Sequence, residues 1–284
     1  MSPVVWVLVV FGVIASFLIA SFTNVVIDRL PLALDEPNEY GELWDTRPWS
    51  EVVGGRSRCS ECGAEVKATD NIPVISYVLL RGRCRSCGEP FGAFHLVVEL
   101  LIPLLVVLVT WSVVHFDGWT WALLVYLPLI PMGVAIAAID LRTLIVPTRI
   151  IWPGAGLLAV LAVIAAALAG EWTWVMGAAV GAVAMAAPLF LIWFIVPTGM
   201  GFGDVRLSVM LGVAVGVAAA TTGRGWPWVI VLCMFSLGIA AIVGLLMGVP
   251  GLMIGRRQVP FGPALVTGAL LCVALAQPIL EPFG

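Results

Sequence analysis

Residues 173–197 read TWVMGAAVGAVAMAAPLFLIWFIVP, residues 205–221 read VRLSVMLGVAVGVAAAT, and the loop Gly199-Met-Gly-Phe-Gly-Asp204 lies between them. Both flanking segments are apolar and close to the ~20 residues that an α-helix needs to cross a bilayer. The loop is therefore expected at or just inside a membrane face. A carboxylate is costly at that depth, which makes Asp204 a candidate functional residue.

Three glycines precede Asp204, at positions 199, 201 and 203. Glycine lets the backbone adopt conformations that other residues avoid, and it lets another chain approach closely. Gly201 and Gly203 are therefore predicted to form a supporting loop that leaves Asp204 open to an extended peptide. The alternative is a glycine-rich loop whose aspartate only caps the helix that follows.

The composition indicates a membrane protein. The chain has 284 residues, of which 61% are hydrophobic and 11% are charged, and its mean hydropathy is +1.10. An average soluble domain has about 25% charged residues. Apolar segments recur as far as the C-terminus, which argues against a soluble domain behind a single secretory signal peptide. The predicted fold class is an all-α polytopic membrane protein.

Hydropathy predicts about eight transmembrane helices, each close to the length that a span requires. We place them at residues 4–25, 95–116, 120–139, 150–169, 173–197, 205–221, 228–249 and 263–281. One large polar segment separates the first span from the second. The predicted domains are therefore a first transmembrane helix (1–25), a polar loop domain (26–94) and a helical membrane domain (95–284).

The basic residues predict the orientation of the chain. The polar loop holds eight of the 14 Lys and Arg residues. With eight spans, the loops on the same side hold five more, namely Arg142, Arg149, Arg206, Arg256 and Arg257. Only Arg224 falls on the other side. Because basic loops favour the cytoplasmic side, the large loop is predicted to be cytoplasmic and both termini to be outside.

Asp140 is the second acid at a membrane face, in the segment Asp140-Leu-Arg-Thr-Leu-Ile-Val-Pro147. The predicted topology places it on the same side as Asp204. Two carboxyl groups that meet in a low dielectric do not both ionise easily, so one stays neutral. A neutral acid beside a carboxylate can protonate a leaving amide nitrogen while the carboxylate activates water, which is aspartyl-protease chemistry. Ion or proton translocation and a purely structural role are the alternatives.

The polar loop contains two C-x2-C knuckles, Cys59-Ser-Glu-Cys62 and Cys84-Arg-Ser-Cys87. Four thiolates at such a spacing complete a tetrahedral, structural Zn²⁺ site, so the loop is predicted to resemble a zinc ribbon. Disulfides are the alternative, and a reducing cytoplasm disfavours them. Cys233 and Cys272 lie in apolar spans and are predicted to pack between helices.

Three further polar features carry weaker expectations. The acidic insertion, residues 33–56, is either a solvated surface loop or a segment that attracts a basic substrate by long-range electrostatics. Glu99, near the start of the second span, is expected to reach the membrane interface or to join a site on the cytoplasmic side. The segment Asn24-Val-Val-Ile-Asp-Arg-Leu-Pro31 is expected to terminate the first helix.

Taken in order, these motifs resemble the type IV prepilin peptidases, which are membrane aspartyl proteases of the GxGD kind. The similar segments are Ser21–Pro31, the two cysteine knuckles, Asp70-Asn-Ile-Pro73, Ser76-Tyr77, Arg81-Gly-Arg83, Asp140 with Ile145-Val-Pro147, GMGFGDVRL, and Pro260-Phe-Gly-Pro263. The sequence departs from the family at Ser60 and Thr148, where a Pro and an Asp are common.

This resemblance implies that Asp140 and Asp204 are the catalytic pair. It implies cleavage of the basic leader from prepilins and pseudopilins at the cytoplasmic face, followed by methylation of the new N-terminus with S-adenosylmethionine. The implied partners are these substrates, the lipid bilayer and a pilus or secretion machinery, with no nucleic acid. The implied location is the bacterial cytoplasmic (inner) membrane.

Two hypotheses from other classes stay open at this point. A membrane transporter with a zinc-stabilised cytoplasmic domain would use the acids to move solute or protons. A non-catalytic assembly factor of a pilus or secretion system would bind the pilin precursors without cutting them.

Overall fold

The computed structural model describes residues 3–30, 48–59, 61–197, 200–253 and 259–283. These residues form helices joined by loops, and within these ranges the only β-pairings are two isolated bridges, Arg58 with Glu65 and Arg83 with Pro90. The predicted all-α fold class is confirmed. Ser60, Gly199, most of the acidic insertion 33–56, Pro31, Arg256 and Arg257 lie outside the described residues.

Eleven α-helices follow one another along the described chain. They are α1 (Pro3–Arg29), α2 (Trp49–Val53), α3 (Ile75–Leu79), α4 (Phe94–Asp117), α5 (Leu123–Thr143), α6 (Thr148–Ala169), α7 (Thr173–Ile195), α8 (Phe202–Thr221), α9 (Trp226–Met253), α10 (Gly262–Ala274) and α11 (Ala276–Leu280). Short 3₁₀ helices occupy Ala68–Asn71 and Glu281–Phe283. Within the described residues, seven helices are long and apolar enough to cross a membrane: α1 and α4 to α9.

The eighth predicted span, residues 263–281, is divided between α10 and α11. α10 has 13 residues, which corresponds to about 20 Å and is shorter than the ~30 Å hydrocarbon core. Pro278 explains the break, because proline has no N–H to donate to the carbonyl four residues earlier. That carbonyl, of Ala274, instead accepts a hydrogen bond of 2.6 Å from the Ser112 hydroxyl.

The chain divides into two compact units, Met1–Val107 and Leu108–Gly284, with the division inside α4. In the second unit α8 is the central helix, since a larger share of it is buried than of any other candidate span among the described residues. Its small residues allow α7, α6, α9 and α10 to pack around it. Cys233 and Cys272 are buried in this unit, in agreement with their predicted packing role. The predicted domain boundaries at residues 25 and 94 stay a prediction.

Glycines bring α7 and α8 into direct backbone contact. A Cβ built on Gly177 of α7 would lie 2.6 Å from the carbonyl oxygen of Gly216, and one on Gly212 of α8 would lie 2.8 Å from the Cα of Ala182. Small residues that let helix backbones approach closely are typical of packing inside membranes. The contact fixes the position of α8, the helix that carries Asp204.

We expect Gly212→Val to disrupt this contact. The added side chain meets backbone atoms that cannot move aside, and overpacking of this kind typically costs about 1–3 kcal/mol. Gly156→Val in α6 is the matched control, because a Cβ there meets nothing within 4 Å. Thermal unfolding of both variants in detergent measures the effect, and equal midpoints would contradict the packing described here.

Candidate active site and metal centre

Asp140 lies in the last turn of α5, and only 3% of it is exposed. The helix ends just beyond it, because Leu144 adopts a left-handed conformation (φ 58°) and donates its N–H to the Asp140 carbonyl at 2.8 Å. The Asp140 carboxylate oxygen Oδ2 accepts a hydrogen bond of 2.8 Å from the backbone N–H of Gly262. This hydrogen bond thus links the end of α5 to the start of α10 within the second unit.

Gly262 is the first residue of α10. A Cβ at this position would lie 2.8 Å from Asp140 Oδ2, so the carboxylate occupies the space that any side chain would need. The N-terminal N–H groups of a helix form its positive end and favour a nearby anion. Gly262 belongs to the Pro260–Pro263 motif, but its contact with Asp140 was not predicted from the sequence. The one feature that could have drawn attention to it is a glycine placed just before a proline at a helix start.

Asp204 lies within the first turn of α8, which begins at Phe202 instead of the predicted residue 205. The prediction that Asp204 belongs to the loop is therefore wrong. A negatively charged side chain in the first turn interacts favourably with the helix dipole, which helps α8 to begin before Asp204. Gly201 is the N-cap residue, and no side chain caps α8. The structure thus does not support the alternative that Asp204 serves as a cap.

The side chain of Asp204 is buried, with 6% of the residue exposed, and its Oδ1 has no hydrogen-bond partner among the described residues. α8 packs against α5, the helix that carries Asp140. α10 packs against both α5 and α8, and its first residue, Gly262, contacts the Asp140 carboxylate. The second unit therefore brings together two buried carboxyl groups, one with a backbone hydrogen bond and one with a free oxygen.

Gly201 and Gly203 were predicted to form a loop that leaves Asp204 open to an extended peptide, and the structure gives them other roles. Gly201 has an ordinary extended conformation (φ −70°, ψ 141°), so its backbone does not require glycine. A Cβ on Gly203 would lie 2.8 Å from the Cβ of Val146, so the segment that comes close is the chain's own loop after α5. Gly203 thus brings the loop of the first acid next to the helix of the second.

Arg206 also links the two acidic segments. Its guanidinium donates a hydrogen bond of 2.9 Å to the Thr148 hydroxyl and lies 4.8 Å from the ring centre of Phe202. This bond joins the first residue of α6, which follows the loop after Asp140, to the helix of Asp204.

The four knuckle cysteines of the first unit form one cluster. Their sulfur atoms all lie within 4.8 Å of one another, with Cys59 and Cys87 at 3.9 Å and Cys62 and Cys84 at 4.0 Å. A tetrahedral site with Zn–S bonds of 2.3 Å places its sulfurs about 3.8 Å apart. The cluster therefore fits a four-coordinate metal ion, and the cysteines are not joined by disulfides.

The two knuckles are built alike. In each, a glycine with positive φ follows the second cysteine, Gly63 (φ 67°) and Gly88 (φ 77°), and donates its N–H to the carbonyl of the first. Backbone N–H groups of Cys87 and Ser86 lower the pKa of the Cys84 thiol to about 7. This favours the thiolate, which is the form that binds metal.

The segment around the cysteine cluster has almost no apolar core. Among the described residues from 48 to 93, only four are buried: Val52, Cys59, Gly82 and Cys84. Segments of this size usually need disulfides or a metal to fold. The Asp70 carboxylate adds a bidentate ion pair with Arg85, at 2.6 and 2.7 Å, and this contact lowers the pKa of Asp70.

The end of α1 does more than terminate a helix. Asn24 donates to the carbonyl of His95 at 3.1 Å, and Asp28 pairs with the His95 ring at 2.6 Å. Arg29 donates to the backbone carbonyls of Val52, Gly54 and Arg56. The polar residues after the first apolar segment thus hold the polar loop and the start of α4 together within the first unit.

The fold and the site together define a multi-pass helical membrane protein with two buried acids at helix ends and a four-cysteine cluster whose geometry fits a metal ion. Residues 14–113 match the Bacterial Peptidase A24 N-terminal domain, and residues 127–249, which contain both acids, match the Type IV leader peptidase family. The chain belongs to the type IV leader peptidase family and is accordingly a multi-pass inner membrane protein.

Relatives called prepilin leader peptidase/N-methyltransferase are similar over most of the chain. The protein from Aeromonas hydrophila is 32% identical over 271 residues, covering 88% of this chain and 84% of the relative. The Dichelobacter nodosus protein is 31% identical over 296 residues, covering 95% and 92%. The Pseudomonas putida protein is 29% identical over 284 residues, covering 93% and 90%. No solved structure matches the chain.

Proposed function

We propose that this protein is a membrane aspartyl endopeptidase that removes the basic leader of prepilins and pseudopilins, with Asp140 and Asp204 as the catalytic pair. The observation that carries the proposal is that α5 and α8, which pack against each other, each bury a carboxyl group at one end. The loop after the first acid also meets the helix of the second, because a Cβ on Gly203 would lie 2.8 Å from Val146. The names of the relatives support the substrate class. Neither these names nor the family favour the transporter or the assembly factor.

The surroundings of the two acids support different roles. Asp140 accepts the Gly262 N–H at a helix N-terminus, which favours a carboxylate. Asp204 also lies at a helix N-terminus, but its Oδ1 is buried without a hydrogen-bond partner among the described residues, which favours the neutral acid there. In this assignment Asp140 takes a proton from water while the water oxygen bonds to the scissile carbonyl carbon and the C=O π electrons move to the carbonyl oxygen, which gives a tetrahedral intermediate. Asp204 gives its proton to the amide nitrogen as the C–N bond breaks.

A change at Gly262 tests the positioning of Asp140. We expect Gly262→Ala to push the Asp140 carboxylate aside, because the added Cβ would lie 2.8 Å from its Oδ2. A displacement of about 1 Å at a catalytic group can cost on the order of 100-fold in rate, so kcat falls by at least about tenfold while KM changes little.

Gly238→Ala in α9 is the matched control for this variant, because a Cβ there meets nothing within 4 Å. Both proteins are compared in a leader-cleavage assay. An unchanged kcat for Gly262→Ala would remove Gly262 from the site.

We further propose Zn²⁺ as the metal held by Cys59, Cys62, Cys84 and Cys87. The sulfur spacing and the nearly absent apolar core of the segment support a structural ion that holds the knuckles together. With four protein ligands, no coordination position is left for water, so the ion takes no part in peptide cleavage.

N-methylation of the new N-terminus is proposed as a second activity, on the strength of the relatives' names. S-adenosylmethionine would supply the methyl group. Within the described residues we identify no set of side chains that fits this cofactor, and we assign none to it.

We propose that residues 26–94 lie in the cytoplasm, that both termini lie outside, and that the protein serves a pilus or secretion machinery. The predicted topology places 13 of the 14 basic residues on the cytoplasmic side. It requires the C-terminal segment to cross once more, and α10, α11 and the final 3₁₀ helix would extend for about 30 Å if they were in line. Protease treatment of inverted and right-side-out vesicles tests the orientation; cleavage in residues 48–93 only in right-side-out vesicles would reverse it.

A further inference from the structure

The first unit exposes an apolar surface on and beside α3. Ile72, Ile75, Val78 and Leu79, which we call the α3 surface, are exposed, and Val78 and Leu79 are exposed to 65% and 74%. The last three are spaced by three and four residues, so they share one face of the helix. Clustered apolar side chains on an exposed surface mark interaction sites more often than single ones do.

A hydrogen bond fixes α3 to the start of a membrane helix. Val74, which directly precedes α3, donates its N–H to Glu99 Oε2 of α4 at 2.8 Å. Glu99 is the sixth residue of α4, about 8 Å along the helix from its first residue. Because a carboxylate is costly in hydrocarbon, Glu99 marks the depth at which α4 enters the membrane. The α3 surface therefore lies close to the level of the headgroups.

The backbone at Val74 indicates that this attachment is specific. Val74 has φ 62°, a conformation that β-branched residues rarely adopt. Such strain persists only where the surrounding contacts fix it. The hydrogen bond to Glu99 is a contact of this kind. Of the two expectations for Glu99, the membrane interface or a site on the side of the polar loop, the structure shows a contact with the polar loop.

Charge identifies the occupant of this surface. Arg81 and Arg83 are exposed and lie shortly after the end of α3 at Leu79. Apolar side chains next to basic ones are the pattern of segments that lie in a membrane interface, where the arginines meet anionic headgroups. We propose that the α3 surface docks on the bilayer, with its apolar side chains at the acyl boundary and Arg81 and Arg83 at the headgroups of anionic phospholipids.

Two other occupants fit less well. The leader of the proposed substrate is basic, so Arg81 and Arg83 would repel it. A second copy of the chain would bring the same arginines against one another. The docking is independent of the proposed peptidase activity, and it would position the metal-binding segment against the membrane even if the acids had another role.

Photocrosslinking in lipid tests the docking directly. The photoreactive residue p-benzoylphenylalanine replaces Leu79 in the full-length, metal-loaded protein in nanodiscs of phosphatidylcholine and phosphatidylglycerol. Glu89, which is exposed on the second knuckle of the same unit, is the matched control position. We expect phospholipid adducts at position 79 at about tenfold or more over position 89, because only position 79 lies at the membrane surface.

The other outcomes are distinguishable by mass spectrometry and would overturn the proposal. They are adducts at position 79 to an added prepilin peptide, adducts to a second copy of the chain, or equal lipid adducts at both positions.

The role of the two arginines is tested with the double variant R81Q/R83Q, whose folding is checked by its metal content. Phosphatidylglycerol is expected to raise the adduct yield severalfold in the parent protein and not in this variant. An equal rise in both would contradict the role of the arginines.

Discussion

Asp140→Asn and Asp204→Asn are each expected to lower the rate of leader cleavage by about 10²–10⁴-fold, because each removes one of the two proton-transfer groups. Asparagine has nearly the shape of aspartate, so both variants should still insert into the membrane. Since the two acids act as a unit, the double variant is expected to lose little more than either single variant. Purified proteins in lipid are compared by the rate of leader release.

Asp117→Asn is the matched control for these variants. Asp117 is a partly buried acid that ends α4 in the same unit, but the proposed mechanism does not use it. Its variant is expected to cleave within about twofold of the parent, because both proposed proton-transfer groups stay in place. Retained cleavage in either Asp140→Asn or Asp204→Asn, or multiplicative losses in the double variant, would contradict the pair.

The cysteine cluster is expected to hold about one zinc ion per chain, and the double variant Cys59→Ser, Cys62→Ser is expected to lose it. Structural zinc contributes roughly 10–16 kcal/mol to small metal-dependent folds. The segment from 48 to 93 has only four buried residues among those described, so it has little else to hold it together. Without the metal it should become accessible to proteases while the membrane helices stay folded.

Metal content and limited proteolysis measure this prediction. Cys233→Ala is the control, because Cys233 is a buried cysteine of the second unit and lies outside the cluster. It is expected to retain the metal and the protease resistance of the loop. A parent protein purified without metal, or a double variant whose loop resists proteases as the parent does, would contradict the structural role.

Features that depend on local composition could be predicted from the sequence. Hydropathy located the seven long helices to within a few residues, because a helix needs about 20 consecutive apolar residues to cross the bilayer. The spacing of Cys59, Cys62, Cys84 and Cys87 indicated a metal cluster, because the two knuckles repeat the same local turn. Sequence also singled out Asp140 and Asp204 as acids at the ends of apolar segments.

Features that depend on distant contacts could not be predicted. The hydrogen bond between Asp140 and Gly262 joins residues 122 positions apart, and neither residue alone indicates it. Gly203 was expected to admit a substrate, but its contact is with Val146 across the fold. The break near Leu275 follows from Pro278, yet only the packed structure shows that the Ser112 hydroxyl donates a hydrogen bond to the Ala274 carbonyl there.

The most direct test is incubation of the purified protein, in lipid, with a prepilin-like substrate, followed by mass spectrometry with and without S-adenosylmethionine. We expect loss of the leader mass with the parent protein and an intact substrate with Asp204→Asn, with a methyl-sized gain only when the cofactor is present. An intact substrate after incubation with folded, metal-loaded parent protein would contradict the peptidase assignment and favour a transporter or an assembly factor.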